Sequence, residues 1–237
     1  MNDRANPNLR NPAYLVLKPL ALAVEREVKA LMVAGRPLKV LDIGCGDQPY
    51  KFVFNGHPCH YIGLDLLGTQ GCAVVASGEQ LPFRSATFDI ILSFQVLEHV
   101  AEPQQQLRET YRVLAPGGHC LVSTHGTFLF HPSPYDYWRW THQGLERSFR
   151  NAGFDVIKIV PQGGTGSCLS YLLASYLSFL SYRLKCITPL RWIGVPLLNS
   201  LGPAIDSWFP FLNHPNPFSL TANYLVHTHK PDGGREY

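Results

Sequence analysis

The sequence has little charge and no concentration of it. Of its 237 residues only 16% are charged, and 20 basic against 17 acidic side chains give a formal net charge of +3. No run of basic residues concentrates this excess, so nothing supports a nucleic-acid partner. With 46% hydrophobic residues the composition excludes disorder, collagen and coiled coil, and it predicts a buried core. The length suits one domain with an elaboration.

Paired cysteines and a membrane-spanning run are also missing. The six cysteines form no C-x-x-C pair, which favours reduced thiols in an intracellular protein over a disulfide framework or a zinc site. The polar start lacks the apolar core of a secretory signal, so we expect a cytoplasmic protein. The longest uncharged stretch, 168–182, is shorter than the roughly 18–20 residues that a spanning helix needs.

Short apolar runs alternate with amphipathic runs between residues 38 and 160. This pattern predicts an α/β fold with a mostly parallel sheet covered on both faces. A helix over 14–32 precedes the sheet. The clearest later helix, 102–114, is expected to end in the turn Ala115-Pro116-Gly117-Gly118. Strands are predicted at 39–43, 61–65, 72–75, 88–93, 119–124 and 154–160, and a further helix at 141–152.

The second part of the chain is more apolar. We divide the sequence into a core with its N-terminal helix (1–160), an apolar helical insertion (161–218), and the last core strand with a tail (219–237). The insertion has three readings. It is an extra helical layer or homodimer face, a peripheral membrane or lipid-acceptor surface through 168–209, or a transmembrane hairpin. Arg183, Lys185 and Arg191, which lie between the two apolar segments, are compatible with the second reading, a position at the inner face of a membrane.

A glycine turn follows the first apolar strand in Val40-Leu-Asp-Ile-Gly-Cys-Gly46. In an open α/β sheet, ligands lie outside the carboxyl ends of the strands, and glycine permits close approach of the backbone. Asp65 ends the next strand, where a carboxylate suits ribose hydroxyls. The third glycine of a dinucleotide fingerprint is missing, which points away from NAD. A cofactor with a ribose and a cationic centre near Asp42 fits better.

Six ordered motifs resemble one known family. The sequence is similar to class I S-adenosylmethionine-dependent methyltransferases of the type-11 group, over about residues 38–160 and a last strand near 220–229. The resemblance implies a Rossmann-like sheet with an antiparallel C-terminal strand. The motifs are Val40–Gly46, Tyr61–Asp65, Gly78–Phe83, Phe88–Ser93, Val96–Val100 and Arg112–Gly118.

The resemblance also implies a set of cofactor-binding residues for S-adenosylmethionine. Asp42, Gly44 and Gly46 would line the methionine and sulfonium side, Asp65 the ribose, and Gly78 with Glu79 the adenine. Phe94 and Gln95 would lie beside the transferred methyl. Many relatives have Asp where this chain has Ser77, which leaves adenine recognition there to a hydroxyl or to backbone. The complete predicted set is Asp42, Gly44, Cys45, Gly46, Asp65, Leu66, Ser77, Gly78, Glu79, Phe94 and Gln95.

Methyl transfer from a sulfonium needs an aligned acceptor more than it needs a base. His99, His125 and His131 are the histidine candidates near the carboxyl ends of the strands, and a structural role is favoured for His99. Gln95, Glu98 and His99 are similar to the Glu-x-x-Glu-His metal motif of small-RNA 2′-O-methyltransferases. Gln95 replaces the first ligand there, so no metal site is predicted. His131 and Asp136 are the predicted catalytic residues.

The segment from His131 to Thr141 concentrates His, Asp, Arg and aromatic side chains. It resembles a segment of bacterial methyltransferases associated with surface glycans and sugar modification. Such side chains suit sugar stacking and hydroxyl recognition. An ordinary lid, with Thr141 capping the next helix and Arg139 paired to Asp136, is the alternative. The predicted substrate residues are Tyr135, Tyr137, Trp138 and Arg139.

The sequence therefore predicts a methyltransferase acting on a small-molecule, saccharide or lipid-linked acceptor. A quinone-like or polyketide-like aromatic acceptor is the enzymatic alternative. A cofactor-binding membrane or partner module without turnover is the alternative from another class.

Overall fold

The computed structural model describes residues 4–32 and 36–232, so residues 233–237 of the predicted tail lie outside it. Within this part of the chain, seven strands form one sheet in the order β3-β2-β1-β4-β5-β7-β6. The strands are β1 (Leu38–Ile43), β2 (Cys59–Asp65), β3 (Val74–Val75), β4 (Phe88–Phe94), β5 (Leu114–His125), β6 (Asp155–Gln162) and β7 (Asn223–His229). The helices are α1 (Tyr14–Leu31), α2 (Pro103–Val113), α3 (His142–Asn151), α4 (Thr165–Arg183) and α5 (Thr188–Trp208). The predicted Rossmann-like α/β class is confirmed.

Contacts between Cα atoms divide the chain into two compact units. The helical unit comprises Met1–Ala23, Gly126–Leu129 and Pro161–Tyr224. The sheet unit comprises Val24–His125, Phe130–Val160 and Leu225–Tyr237. This division groups the residues before Val24 with 161–224, whereas the sequence placed them with the core.

The centre of the sheet unit is apolar because β1 and β4 are covered on both faces. Val40, Leu41 and Ile91 are fully buried. Parallel pairing sets Ile43 opposite Leu64 of β2 and opposite Ser93 of β4. The residues that follow these positions therefore meet at one edge of the sheet, where ligands of open α/β folds bind.

The predicted turn at Ala115-Pro116-Gly117-Gly118 is wrong, since these residues belong to β5. Leu114 pairs with Phe88 and His119 pairs with Ile90, so the register shifts across the segment. Gly117 has a φ of +70° and its amide donates to the carbonyl of Lys230 (2.8 Å). The glycines make a bulge in a continuous strand, which a Pro-Gly-Gly sequence also permits.

Strand β3 lies at one edge of the sheet, whereas β7 lies between β5 and β6. The strand predicted at 72–75 is shorter, because β2 offers partners only to Val74 and Val75. The predicted antiparallel last strand is present. Gly117 contacts Lys230, and the hydroxyl of Thr228 contacts the carbonyl of Cys120 (3.5 Å), so the two strands run in opposite directions.

In the helical unit a buried carboxylate from α5 caps the start of α4. Asp206 accepts hydrogen bonds from the amides of Gly164 (2.9 Å), Gly166 (2.7 Å) and Ser167 (3.1 Å). These amides have no partner within their own helix, so a side chain distant in sequence satisfies them. Gly164 is required here, since an added Cβ would lie 1.9 Å from Asn213 Oδ1.

The same two helices expose an unusual amount of apolar surface. Large side chains on α4 and α5 that are at least half exposed include Leu173, Tyr176, Phe179, Trp192, Ile193 and Trp208. We call this the apolar surface of α4 and α5. No helix among the described residues has the length and apolar character required to cross a membrane.

Candidate functional site

The glycine turn after β1 contains two glycines with different requirements. Gly44 has a φ of +68° and Gly46 a φ of +50°, both in the left-handed region that favours glycine. An added Cβ on Gly44 would lie 2.3 Å from Val96 Cγ2, whereas one on Gly46 would have nothing within 4 Å. Gly44 is therefore needed for packing, and Gly46 borders open space into which a ligand can fit.

Asp65, at the end of β2, holds this turn in place. Its Oδ2 accepts a hydrogen bond from the amide of Gly46 (2.9 Å), and its Oδ1 accepts one from the amide of Leu67 (3.1 Å). Each carboxylate oxygen keeps a free acceptor position. Asp65 is thus oriented next to the open space at Gly46. The side chain of Leu66 beside it is exposed.

Asp42 is a buried carboxyl behind the turn. It accepts a hydrogen bond from the hydroxyl of Tyr61. Burial raises the pKa of Asp42 to about 7, against the effect of the Tyr61 hydrogen bond and with a contribution from the charge of Asp65. A cationic group bound nearby would favour the ionised form. The adjacent Cys45 is also buried, and burial raises the pKa of its thiol to about 12, which makes it a poor nucleophile.

The predicted adenine-side residues form a tight turn after β3. The hydroxyl of Ser77 accepts from the amide of Glu79 (3.1 Å), and Glu79 Oε1 accepts from the amide of Glu102 (2.7 Å). An added Cβ on Gly78 would lie 2.5 Å from Gln106 Oε1. Here the backbone approaches α2 closely, and the Ser77 side chain is occupied by the turn itself.

Phe94 and Gln95 end β4 at the same edge. Phe94 is buried and packs edge-on against Tyr50, with ring centroids 5.0 Å apart. Gln95 has a φ of +59°, which is uncommon for a residue other than glycine, and its amide donates to the carbonyl of Ser123 (3.0 Å). Such conformations cluster at functional sites.

A buried contact between a glutamate and a histidine, which the sequence did not predict, follows Gln95 in the chain. Glu98 and His125 are both almost completely buried, and His125 Nε2 lies 2.8 Å from Glu98 Oε1. The hydroxyl of Thr124 donates to Glu98 Oε2 (2.9 Å). Burial alone would raise the pKa of Glu98, but the imidazole of His125 outweighs it and holds that pKa below its usual value.

The loop after β5 is anchored on this pair through its backbone. The amide of Tyr137 donates to the carbonyl of Glu98 (2.9 Å), and the amide of Trp140 donates to the carbonyl of His125 (2.9 Å). The predicted substrate residues Tyr135, Tyr137 and Trp138 keep exposed rings. The structure therefore brings the aromatic side chains of the loop to the edge that carries Gln95 and Glu98.

His131 and Asp136, the predicted catalytic residues, lie close together but differ in their suitability to accept a proton. Arg139 binds both oxygens of Asp136, at 2.6 and 2.7 Å, and the amide of His131 donates to Asp136 Oδ2 (2.9 Å). The Arg139 hydrogen bonds hold the pKa of Asp136 far below its usual range, although burial opposes them. Asp136 therefore suits positioning of His131 better than proton acceptance. The Arg139 pairing also leaves this guanidinium less available to a substrate.

The three histidine candidates converge. The ring centroid of His131 lies 4.9 Å from that of His99 and 4.8 Å from that of His125. His99 and His131 are both partly exposed, His131 with 34% of its side chain, whereas His125 is buried. His99 follows β4, His125 is the last residue of β5 and His131 lies in the loop after β5, so sequence spacing alone does not show that the three rings meet. Thr141 caps α3 by accepting from the amide of Gly144 (3.1 Å), as the lid alternative proposed.

Comparison with known proteins gives the same classification as the motifs. Residues 41–122 match the family described as "Methyltransferase domain". An "Uncharacterized methyltransferase" from Mycolicibacterium gilvum (strain PYR-GCK) is 32% identical over 133 residues, which are 50% of this chain and 52% of that protein. The chain thus spans about half the length of this curated relative.

Two solved structures share the fold. The (4+2)-cyclase SpnF matches with a TM-score of 0.59 and 19% identity, covering 92% of this chain and 83% of that chain. Haemonchus contortus phosphoethanolamine N-methyltransferase 2, solved with phosphomonomethylethanolamine and S-adenosylhomocysteine, matches with a TM-score of 0.53 and 15% identity. It covers 94% of this chain and 60% of that chain. At these identities the likeness concerns the fold.

Proposed function

We propose, from the premise that this chain contains a class I S-adenosylmethionine-dependent methyltransferase domain, that it transfers a methyl group to a saccharide-like or other hydroxyl-rich acceptor, free or linked to a lipid. The observation that carries the methyl-transfer part of the proposal is the Asp65 carboxylate held on the Gly46 amide beside open space. The cofactor of a domain of this class is S-adenosylmethionine, and this edge of the sheet offers the groups to hold it.

The residues of the turn fit this cofactor. Asp65 keeps acceptor positions for the two hydroxyls of a ribose, and the Gly46 backbone leaves room for a ligand to approach. Asp42, whose pKa of about 7 leaves it partly ionised at neutral pH, tolerates positive charge nearby. When bound, the cofactor supplies an already activated methyl group. The protein has then to align the acceptor and exclude water.

The loop after β5 supports this acceptor class. Exposed tyrosine and tryptophan rings suit stacking on the faces of a sugar, and Tyr135 and Tyr137 lie with ring centroids 5.4 Å apart. A hydroxyl acceptor also has to lose a proton. Because Arg139 binds the carboxylate of Asp136, His131 is the base candidate that the geometry supports, and Asp136 positions His131 by accepting from its backbone amide.

The test is a transfer assay with the full chain, methyl-labelled S-adenosylmethionine and an extract of the cells that encode it. The products are partitioned into organic, aqueous, protein and nucleic-acid fractions. We expect label in the organic or aqueous fraction, lost with Asp65→Ala and retained with Asp155→Ala. Label confined to protein or nucleic acid would contradict the acceptor class. No label, despite measurable cofactor binding, would favour a binding module without turnover.

We further propose that the apolar surface of α4 and α5 contacts an anionic membrane interface, where a lipid-linked acceptor would be found. Between residues 161 and 218 the basic side chains are Arg183, Lys185 and Arg191, and the single acidic one is Asp206. Asp206 is buried and accepts three amide hydrogen bonds, so the accessible Asp, Glu, Lys and Arg side chains of this segment are all basic. This combination is typical of helices that lie in an interface.

Vesicle flotation tests this contact with a matched pair of variants. Ile193 on α5 is 70% exposed, and Ile157 on β6 is 49% exposed. We expect the full chain to float with vesicles of phosphatidylcholine and phosphatidylserine and less with phosphatidylcholine alone. Trp192→Ala combined with Ile193→Ser should weaken binding roughly tenfold, because apolar area is lost from the interface. Ile157→Ser should bind like the unchanged chain.

Two outcomes would contradict the membrane contact. One is equal flotation of all the variants. The other is a stable dimer by sedimentation whose formation, and not vesicle binding, is abolished by Trp192→Ala with Ile193→Ser. The second outcome would assign the surface to another copy of the chain.

A further inference from the structure

We propose that Glu98, His99 and His131 form a binding site for a divalent transition metal such as Zn²⁺ or Mn²⁺. One ligand atom of each residue lies within 4.8 Å of the others. Two imidazoles and one carboxylate are a ligand set of metal sites that keep a coordination position open for a substrate. The sequence assigned no metal because Gln95 is not a carboxylate. The structure supplies a different third ligand, His131, from the loop after β5.

Each of the three side chains has a partner that orients it, as ligands of protein metal sites usually do. His99 Nδ1 contacts the carbonyl oxygen of Tyr135, which leaves Nε2 for a metal. The backbone amide of His131 donates to Asp136 Oδ2 (2.9 Å), and the ring Nδ1 lies 3.7 Å from the same oxygen, beyond hydrogen-bond distance. Glu98 Oε2 accepts from the hydroxyl of Thr124 (2.9 Å). A backbone carbonyl, a carboxylate and a hydroxyl therefore support the three ligands.

Metal binding requires one ligand to move a small distance towards the other two. Ligand atoms around a zinc ion lie roughly 3.3 Å apart, given bonds of about 2.0–2.1 Å and tetrahedral geometry. Glu98 is completely buried and fixed, whereas the His131 side chain is 34% exposed and lies outside helices and strands. His131 is therefore the ligand that can approach. His125, 2.8 Å from Glu98 Oε1, keeps the carboxylate oriented.

A second histidine cluster in the sheet unit provides a contrast. His119 Nδ1 lies 3.1 Å from His227 Nε2, and His227 Nδ1 lies 3.0 Å from Glu27 Oε2. Here Lys158 Nζ lies 2.7 Å from Glu27 Oε2 and forms an ion pair with it. A cation in this cluster would face that ammonium, so it is a suitable control for non-specific binding by histidines.

The consequence for the acceptor rests on the proposed function. A metal with an open coordination position would bind an oxygen of the acceptor and lower the pKa of a bound hydroxyl, whose proton would pass to water, so that no protein base would be required. In the metal-loaded chain His131 is a ligand, and proton acceptance by His131 belongs to the metal-free chain. Metal binding itself does not require methyl transfer and is measured without it.

The experiment titrates the chelator-treated full chain with Co²⁺, followed by its visible absorption, and with Zn²⁺ in competition. We expect one equivalent to bind in the unchanged chain, and the affinity to fall more than tenfold in both His99→Gln and His131→Gln. Glu98→Gln is left out because this buried side chain also supports the fold. His119→Gln and the exposed His57→Gln are matched controls and should bind normally. Calorimetry with S-adenosylmethionine on the same variants reports cofactor binding separately.

The outcomes separate this inference from the proposed function. Failure of stoichiometric binding, normal binding in either His99→Gln or His131→Gln, or equal loss in His119→Gln overturns the metal site. Binding lost in both ligand variants, with cofactor affinity unchanged, supports it. Metal binding of this kind in a chain that transfers no methyl group would leave the metal site standing and the proposed function refuted.

Discussion

Asp65→Ala is expected to lower the affinity for S-adenosylmethionine roughly a thousandfold. Two hydrogen bonds from ribose hydroxyls to a carboxylate are each worth about 1.5–3 kcal/mol. The substitution also removes the acceptor of the Gly46 amide, so the turn that borders the cofactor loses its support. Isothermal titration calorimetry with S-adenosylmethionine measures the change directly.

Two variants make this expectation specific. Asp65→Asn keeps one acceptor oxygen and should lose less affinity than Asp65→Ala. Asp155→Ala removes a carboxylate at the start of β6, at the far end of the strand order, and should bind normally. A folded Asp65→Ala chain with unchanged affinity would show that the ribose lies elsewhere.

Asp206→Ala should cost about 3–5 kcal/mol of the free energy of unfolding of the helical unit. Its carboxylate is buried and accepts three amide hydrogen bonds at the start of α4. Removing it leaves three buried donors without their partner, and the loss of a buried charged group from such a network has effects of this size. Urea denaturation followed by circular dichroism and by tryptophan fluorescence measures the loss, since two of the four tryptophans, Trp192 and Trp208, lie on α5.

A conservative variant at Asp206 shows how much of the loss in stability comes from the missing hydrogen-bond acceptors. Asp206→Asn retains an oxygen that can accept from one or two of the amides, so its loss should be intermediate. Asp155→Ala is the control for removal of a carboxylate. An Asp206→Ala chain that unfolds at the same urea concentration as the unchanged chain would show that the start of α4 contributes little to stability.

The sequence predicts most of the fold, because buried parallel strands are continuous apolar runs that periodicity identifies. β1, β2, β4 and β6 lie close to their predicted positions. The prediction of a turn at Ala115–Gly118 is wrong because tight turns and β-bulges favour the same residue types. Which of the two forms depends on Phe88 and Lys230, the partners that the neighbouring strands offer.

The candidate site is also predicted only in part by the sequence. Gly44, Gly46 and Asp65 follow strands directly, so their meeting at one edge follows from parallel pairing. Contacts between segments distant in the chain do not leave a periodic signal. The pairing of Glu98 with His125 and the Asp206 cap are contacts of this kind, and only three-dimensional packing shows them.

The place of β7 in the sheet has a consequence for the order of folding during synthesis. β7 lies between β5 and β6, yet it is translated after both, and after α4 and α5. Until β7 emerges from the ribosome, the facing edges of β5 and β6 have no strand between them, and the apolar helices are already made. Exposed edges and apolar segments on a growing chain favour misassembly. Closure of this sheet is thus a late, non-local step that the last strand controls.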